Sequence, residues 1–112
     1  MTSKKSTPII KEIKDYIKEK TPYRCERINA GKIPVGRWWM QLASDGHPDM
    51  VLYLPRATLL FVEIKALWDT ISTKQEEYRD YILKCGFQYL IAESFQDVHQ
   101  WLVSHEFAFD EI

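Results

Sequence analysis

The 112-residue sequence predicts an α/β domain, a mixed sheet of about four strands flanked by helices. Three observations predict it. Two short apolar runs, Met50 to Leu54 and Leu59 to Ile64, are rich in Val, Leu, Ile, Tyr and Phe and too short for an ordinary helix. The turn signal Pro55-Arg56-Ala57-Thr58 between them makes a hairpin the simplest reading. Apolar residues at helical spacing follow Thr7, Ser72 and Ser94, so helices alternate with strands along the chain.

Composition bounds the rest. At 46% hydrophobic and 28% charged residues the chain reads as one soluble globular domain spanning residues 1–112. No apolar run approaches the ~20 residues of a membrane span. Met1 to Thr7 lacks the apolar core of a signal peptide, so a cytoplasmic protein without a membrane partner is expected. Cys25 and Cys85 show no metal spacing and suit a reducing compartment as free thiols. The net charge of −1 hides an asymmetry. Residues 1–37 carry ten Lys or Arg against four Asp or Glu, and residues 38–112 carry five against twelve. The basic first third is where a phosphate backbone would be held.

In chain order, Met1 to Ser6 is a polar tip. Thr7 caps a helix with Pro8 at its first position. Ile9, Ile10, Ile13, Tyr16 and Ile17 share a face, and Thr21-Pro22 ends the helix after Lys20. Glu12 flanks that apolar stripe and Asp15 lies nearly opposite it. Tyr23 to Asn29 reads as a strand, and Asn29-Ala30-Gly31 as a turn. Lys32 to Gly46 is a long loop or irregular hairpin with Trp38-Trp39-Met40 as its apolar middle. Neighbouring residues of a strand alternate faces, so one tryptophan can pack inward while the other stacks on a base or packs on a second subunit. Lys32 and Arg37 flank this segment as candidate phosphate contacts. After the hairpin, Ser72 or Thr73 caps a second helix with Glu76 near the capping-box position. Tyr78, Tyr81, Ile82 and Cys85 form its buried face, and Gly86 ends it. Phe87 to Ala92 is a strand apolar on both faces, hence a central one. Ser94 caps a third helix with Phe95, Val98, Trp101 and Leu102 inward. Residues 105–112 are acidic and aromatic, and the Phe107-Phe109 tail, with the exposed face of Trp38-Trp39, is the apolar surface most available for contact with a second subunit.

Three charges look out of place in the hairpin. Asp49 opens its first strand, and Glu63 and Lys65 interrupt the end of the second. Glu63 and Lys65 are two apart and share a face, and a hairpin returns them beside Asp49. A carboxylate in a buried strand is costly unless it is paired or holds a cation. Two carboxylates form a hard-cation site of the kind Mg²⁺ or Mn²⁺ favours, and no zinc pattern of Cys and His is present. The residues alone leave a second reading open, a plain ion pair of Lys65 with Glu63 or Asp49. His47 beside the site is either a proton shuttle or a turn cap.

Pro48-Asp49, a gap of thirteen residues and Glu63-Ile64-Lys65 resemble the PD-(D/E)XK nuclease signature. Asn29-Ala30-Gly31-Lys32, Gly46-His47-Pro48-Asp49, Val62-Glu63-Ile64-Lys65, Ile71-Ser72-Thr73-Lys74-Gln75 and Cys85-Gly86-Phe87 are similar in order and spacing to its VRR-NUC branch. The resemblance covers about residues 12–102. It implies a restriction-endonuclease-like core and a Mg²⁺- or Mn²⁺-dependent DNA endonuclease. In such an enzyme Asp49, Glu63 and the Ile64 carbonyl hold the metal, and Lys65 and Gln75 complete the catalytic set. Glu12 is the candidate for the first-helix glutamate that joins such sites. The usual VRR-NUC glutamate sits nearer the helix start, where this chain has Ser6 to Pro8. Stand-alone members are small, often homodimeric, and tend to prefer branched DNA such as four-way (Holliday) junctions. The alternatives are a flap or single-strand nuclease of the same fold, or a non-catalytic DNA-binding or interaction module.

Overall fold

The computed structural model describes residues 6–28, 32–41, 45–66 and 69–107. Its element order is α1 (Ser6–Lys20), β1 (Arg24–Arg27), β2 (Lys32–Val35), β3 (Trp38–Gln41), β4 (Met50–Leu54), β5 (Thr58–Ile64), α2 (Thr73–Lys84), β6 (Gln88–Ala92) and α3 (Phe95–Ser104). Four strands form one mixed sheet in the order β1-β4-β5-β6, and β2 and β3 pair separately as a hairpin. The α/β class and the four-stranded mixed sheet are as expected, and the Lys32–Gly46 segment takes the hairpin alternative.

The β4–β5 hairpin is the spine. Its pairs run from Leu54↔Thr58 to Met50↔Val62, joined by three residues, Pro55 to Ala57. Arg56 and Ala57 turn the chain in the left-handed region, at φ of 62° and 54°. Alternation then sends the strand residues to opposite faces. Met50, Leu52, Leu54, Leu60, Val62 and Ile64 point to one side, where they bury against Ile10, Ile13 and Ile17 of α1 and Val98 and Leu102 of α3. A 2.7 Å contact between Tyr16 Oη and His99 Nδ1 ties α1 to α3 on that side. The odd residues, Phe61 and Glu63 among them, face α2.

Several expectations are corrected. The first helix begins at Ser6, so Thr7 and Pro8 lie inside its first turn. Pro8 is tolerated there because a first-turn N–H has no intrahelical partner. The β6 strand lies at the sheet's edge, not its centre, and Ile91 is 41% exposed. Helices pack on both of its faces, α3 on one and α2 on the other, so the apolar pattern does not need a second neighbouring strand. On α2, Ile82 is buried and Tyr78 half-buried, but Tyr81 (64% exposed) and Cys85 face outward. The face that packs runs through residues 75, 78, 79 and 82, one helical step from the expected stripe. At the other end of the chain, Phe107 is buried: Trp101 and Tyr23 flank its ring, and the Arg56 guanidinium lies 4.5 Å above its centroid. It is thus core and not a free apolar surface. Phe109 and the Asn29-Ala30-Gly31 turn lie outside the described residues.

Candidate functional site

The hairpin register brings the two expected carboxylates together. With Met50 opposite Val62, the next step along the ladder sets Asp49 opposite Glu63, on one face. The three-residue connection, an odd number, produces this alignment. Asp49 is pinned from both neighbouring strands. Its carbonyl accepts from the Ile28 N–H at 2.7 Å, and its Oδ2 accepts from the Ile64 N–H at 2.8 Å.

Glu63 is only 2% exposed, and it is the buried charged residue among those described. Its Oε2 accepts from Gln75 Nε2 at 3.1 Å, and its Oε1 is buried with no hydrogen-bond partner. Burial, then the neighbouring Asp49 carboxylate, push the Glu63 carboxyl up to about 9, while the Lys65 ammonium works the other way. Lys65 is half-buried, and no ion pair joins it to either carboxylate among the described residues. The plain ion-pair reading of these three charges is therefore not what the structure has.

Gln75 belongs to the local structure as well as to the site. Ser72 caps α2: its side chain accepts from the Gln75 N–H at 3.2 Å, and Gln75 Oε1 accepts from the Ser72 N–H at 2.8 Å. The box partner is thus Gln75, not Glu76 as the sequence spacing had it. One amide group closes the helix cap through its oxygen and reaches Glu63 through its nitrogen.

The loop before Asp49 is fixed against the same helix. Gly46, at φ 87°, lies so close to α2 that a Cβ there would sit 2.6 Å from the Lys74 carbonyl oxygen. His47 packs between Phe61 and Tyr78, with Nδ1 2.9 Å from the Pro48 carbonyl oxygen. Its contacts are those of a turn residue.

The remaining candidates lie apart. Glu12 is exposed on α1, which covers the opposite face of the sheet from Glu63. Arg37 and Trp38 are exposed at the β2–β3 turn, Trp38 by 74%. The side chains of Lys32 and Trp39 lie outside the described residues. Sequence reasoning missed Tyr89, whose hydroxyl is buried on the Glu63 side of the sheet without a hydrogen-bond partner. The alternation in Gln88-Tyr89-Leu90-Ile91-Ala92 was the available signal, but only the topology says which face meets Glu63.

Among the described residues no group of three or more His, Cys, Asp or Glu is arranged to hold a metal. The donor set nonetheless fits a hard cation. Mg²⁺ commonly takes one or two carboxylates and completes its shell with water and phosphate oxygens. The unpartnered Glu63 Oε1 beside a second carboxylate is the buried arrangement that a cation, or a proton, must neutralise.

No family model matches the chain, and no curated protein matches it. Solved structures do. A structure described as a VRR_NUC domain superposes with a TM-score of 0.64 at 23% identity, covering 93% of this chain and 99% of that one. A VRR_NUC domain protein gives a TM-score of 0.64 at 16% identity, covering 95% and 91% of the two chains. Over nearly its whole length, then, this chain has the fold of VRR_NUC domains.

Proposed function

We propose that this chain is a VRR-NUC-type, metal-dependent nuclease that hydrolyses phosphodiester bonds in DNA. The observation that carries this reading is the buried Glu63 carboxylate, its Oε1 unpartnered, opposite the half-buried Asp49 on a fold shared with VRR_NUC domains. Asp49 and Glu63 would hold Mg²⁺ or Mn²⁺, with the Ile64 carbonyl as a further oxygen donor. Glu12, on the far side of the sheet, stays outside this set. A bound divalent cation supplies charge neutralisation at a phosphate and lowers the pKa of water. Lys65, in no ion pair among the described residues, has its ammonium available to stabilise negative charge growing on the phosphate oxygens. Gln75 holds the Glu63 carboxylate and sits at the start of α2, whose positive end favours an anion.

The β2–β3 hairpin, with Lys32, Arg37, Trp38 and Trp39, supplies cations and an exposed aromatic ring for the DNA backbone and bases. The preferred substrate is branched DNA, including four-way junctions, and the active species is a homodimer. A domain of this size covers little DNA alone, and resolving a junction takes two cuts, which a twofold pair of sites delivers. The test is a panel of labelled duplex, flap, single-stranded and four-way DNAs incubated with Mg²⁺, Mn²⁺ or EDTA, with light scattering for mass. Cation-dependent cutting of four-way DNA by a dimer is expected. Cutting confined to flaps or single strands overturns the substrate, a monomer that cuts junctions fully overturns the assembly, and no cation-dependent cutting overturns the nuclease.

A further inference from the structure

Two buried side-chain polar atoms lack a hydrogen-bond partner among the described residues, Glu63 Oε1 and the Tyr89 hydroxyl. They are neighbours in the sheet. In the parallel β5–β6 pair Phe61 stands opposite Tyr89 and Glu63 opposite Ile91, so Tyr89 lies one diagonal step from Glu63. Leu90 and Ala92 turn to the α1–α3 core, which leaves Tyr89 on the face shared by Glu63 and α2. Two orphaned groups in one native protein call for an explanation, because a buried polar atom without a partner costs free energy. Here the two are complementary: one is a phenol donor and the other a carboxylate acceptor.

We propose that Tyr89 is a positioning residue for Glu63: its hydroxyl, unbonded in this structure, becomes the donor to the Glu63 carboxylate when that carboxylate turns to hold a divalent cation. This rests on the metal-site reading above and deepens it. Three features support the role. First, the tyrosine is a donor: a phenol keeps its proton at neutral pH. Second, Glu63 has a protein donor on Oε2 only, from Gln75, so a donor from the β6 side completes its orientation. Third, outer partners of metal-binding carboxylates fix ligand orientation, and their loss typically weakens metal binding by about 10–100-fold.

The experiment is calorimetric titration of Mn²⁺ into the full chain, comparing the parent, Tyr89→Phe and Glu63→Gln, with melting temperatures measured alongside. Tyr89→Phe removes one oxygen and keeps the ring. If the hydroxyl orients Glu63, Mn²⁺ binding weakens about 10-fold. The metal-free melting temperature holds or rises, because only an unpartnered hydroxyl is lost. An ordinary packing tyrosine would leave Mn²⁺ affinity unchanged. Parent-like affinity in Tyr89→Phe, within about twofold, overturns the positioning role and leaves the metal site standing. No Mn²⁺ binding by the parent overturns both readings. Should Tyr89→Phe fold poorly, Tyr89→Met, which keeps bulk without a donor, gives the same comparison.

Discussion

Gln75 Nε2 donates to Glu63 Oε2 at 3.1 Å while Gln75 Oε1 accepts from the Ser72 N–H at 2.8 Å, so one side chain fastens both the helix start and the buried carboxylate. Gln75→Ala should lose both contacts. The cap half costs about 1 kcal/mol. The Glu63 half should appear separately, as Mn²⁺ binding weakened about 10-fold. Gln75→Glu separates the two roles. Glutamate keeps the capping box but sets a third carboxylate against Glu63, so its metal-free melting temperature should fall more at pH 8 than at pH 5. An equal shift at both pH values would show that Gln75 acts on the helix alone.

Glu63→Gln should abolish cation binding and still stabilise the metal-free protein. Burial beside Asp49 favours the neutral acid form of Glu63, and glutamine is a neutral group of the same shape. Asp49→Asn should also abolish cation binding, while its side-chain oxygen can still accept from the Ile64 N–H. Thermal melts with and without Mn²⁺ check both. A Glu63→Gln protein whose melting temperature still rises with Mn²⁺ would move the metal elsewhere.

The same carboxyl sets a pH dependence. Its ordinary value is 4.5 and its folded value about 9. Between these the folded chain binds a proton that the unfolded chain has released. The stability due to Glu63 is therefore fully present below pH 4.5 and is lost as pH rises towards about 9. The slope for one proton is about 1.4 kcal/mol per pH unit. Subtracting the pH profile of Glu63→Gln from that of the parent isolates this one group. A flat difference between pH 5 and about 9 would refute it. Cation binding must displace the proton, so Mn²⁺ affinity should rise across the same window with proton release to buffer.

Local pattern made much of this visible before any coordinates. The apolar runs named β4 and β5, and the Ile10, Ile13, Ile17 spacing named the face of α1 that is buried. Asp49, Glu63 and Lys65 stood out because charges in strands are costly. What stayed hidden needed topology or geometry. The sequence of β6 cannot tell an edge strand covered by helices from a central one. Tyr89 reads as core until the parallel register sets it beside Glu63. Phe107 looked like a free aromatic because its partners, Tyr23, Arg56 and Trp101, are spread along the chain.

Gly46→Ala should disturb the site without touching a charge. The added methyl would meet the Lys74 carbonyl oxygen at 2.6 Å, a backbone atom that cannot rotate away, and φ 87° is strained for alanine. We expect a loss of about 1–3 kcal/mol of stability. Because the clash pushes α2 from the loop that carries Asp49, Mn²⁺ affinity should fall as well. Asp45→Ala removes the exposed Lys74 ion pair nearby and should cost almost nothing. Chemical denaturation of the two variants compares them, and equal stabilities would show that the close approach is not rigid.

Lys65→Ala separates binding from turnover. Lys65 shares the face of Glu63 but accepts no share of the folding energy through an ion pair, so its removal leaves no carboxylate stripped of a bonded partner. Its charge does favour ionised Glu63. The alanine variant should therefore bind Mn²⁺ a few-fold more weakly at neutral pH and recover as pH rises. Cleavage should behave differently. If the ammonium stabilises charge on the phosphate in the transition state, turnover falls by about 10²–10³-fold and saturating cation does not restore it. Lys65→Arg keeps the charge but not the compact ammonium and should recover only part of the rate. Single-turnover cleavage at saturating Mn²⁺ across pH 6–9 measures this. A rate within about tenfold of the parent, once Mn²⁺ saturates, would reduce Lys65 to an electrostatic neighbour of Glu63 and remove it from the chemistry.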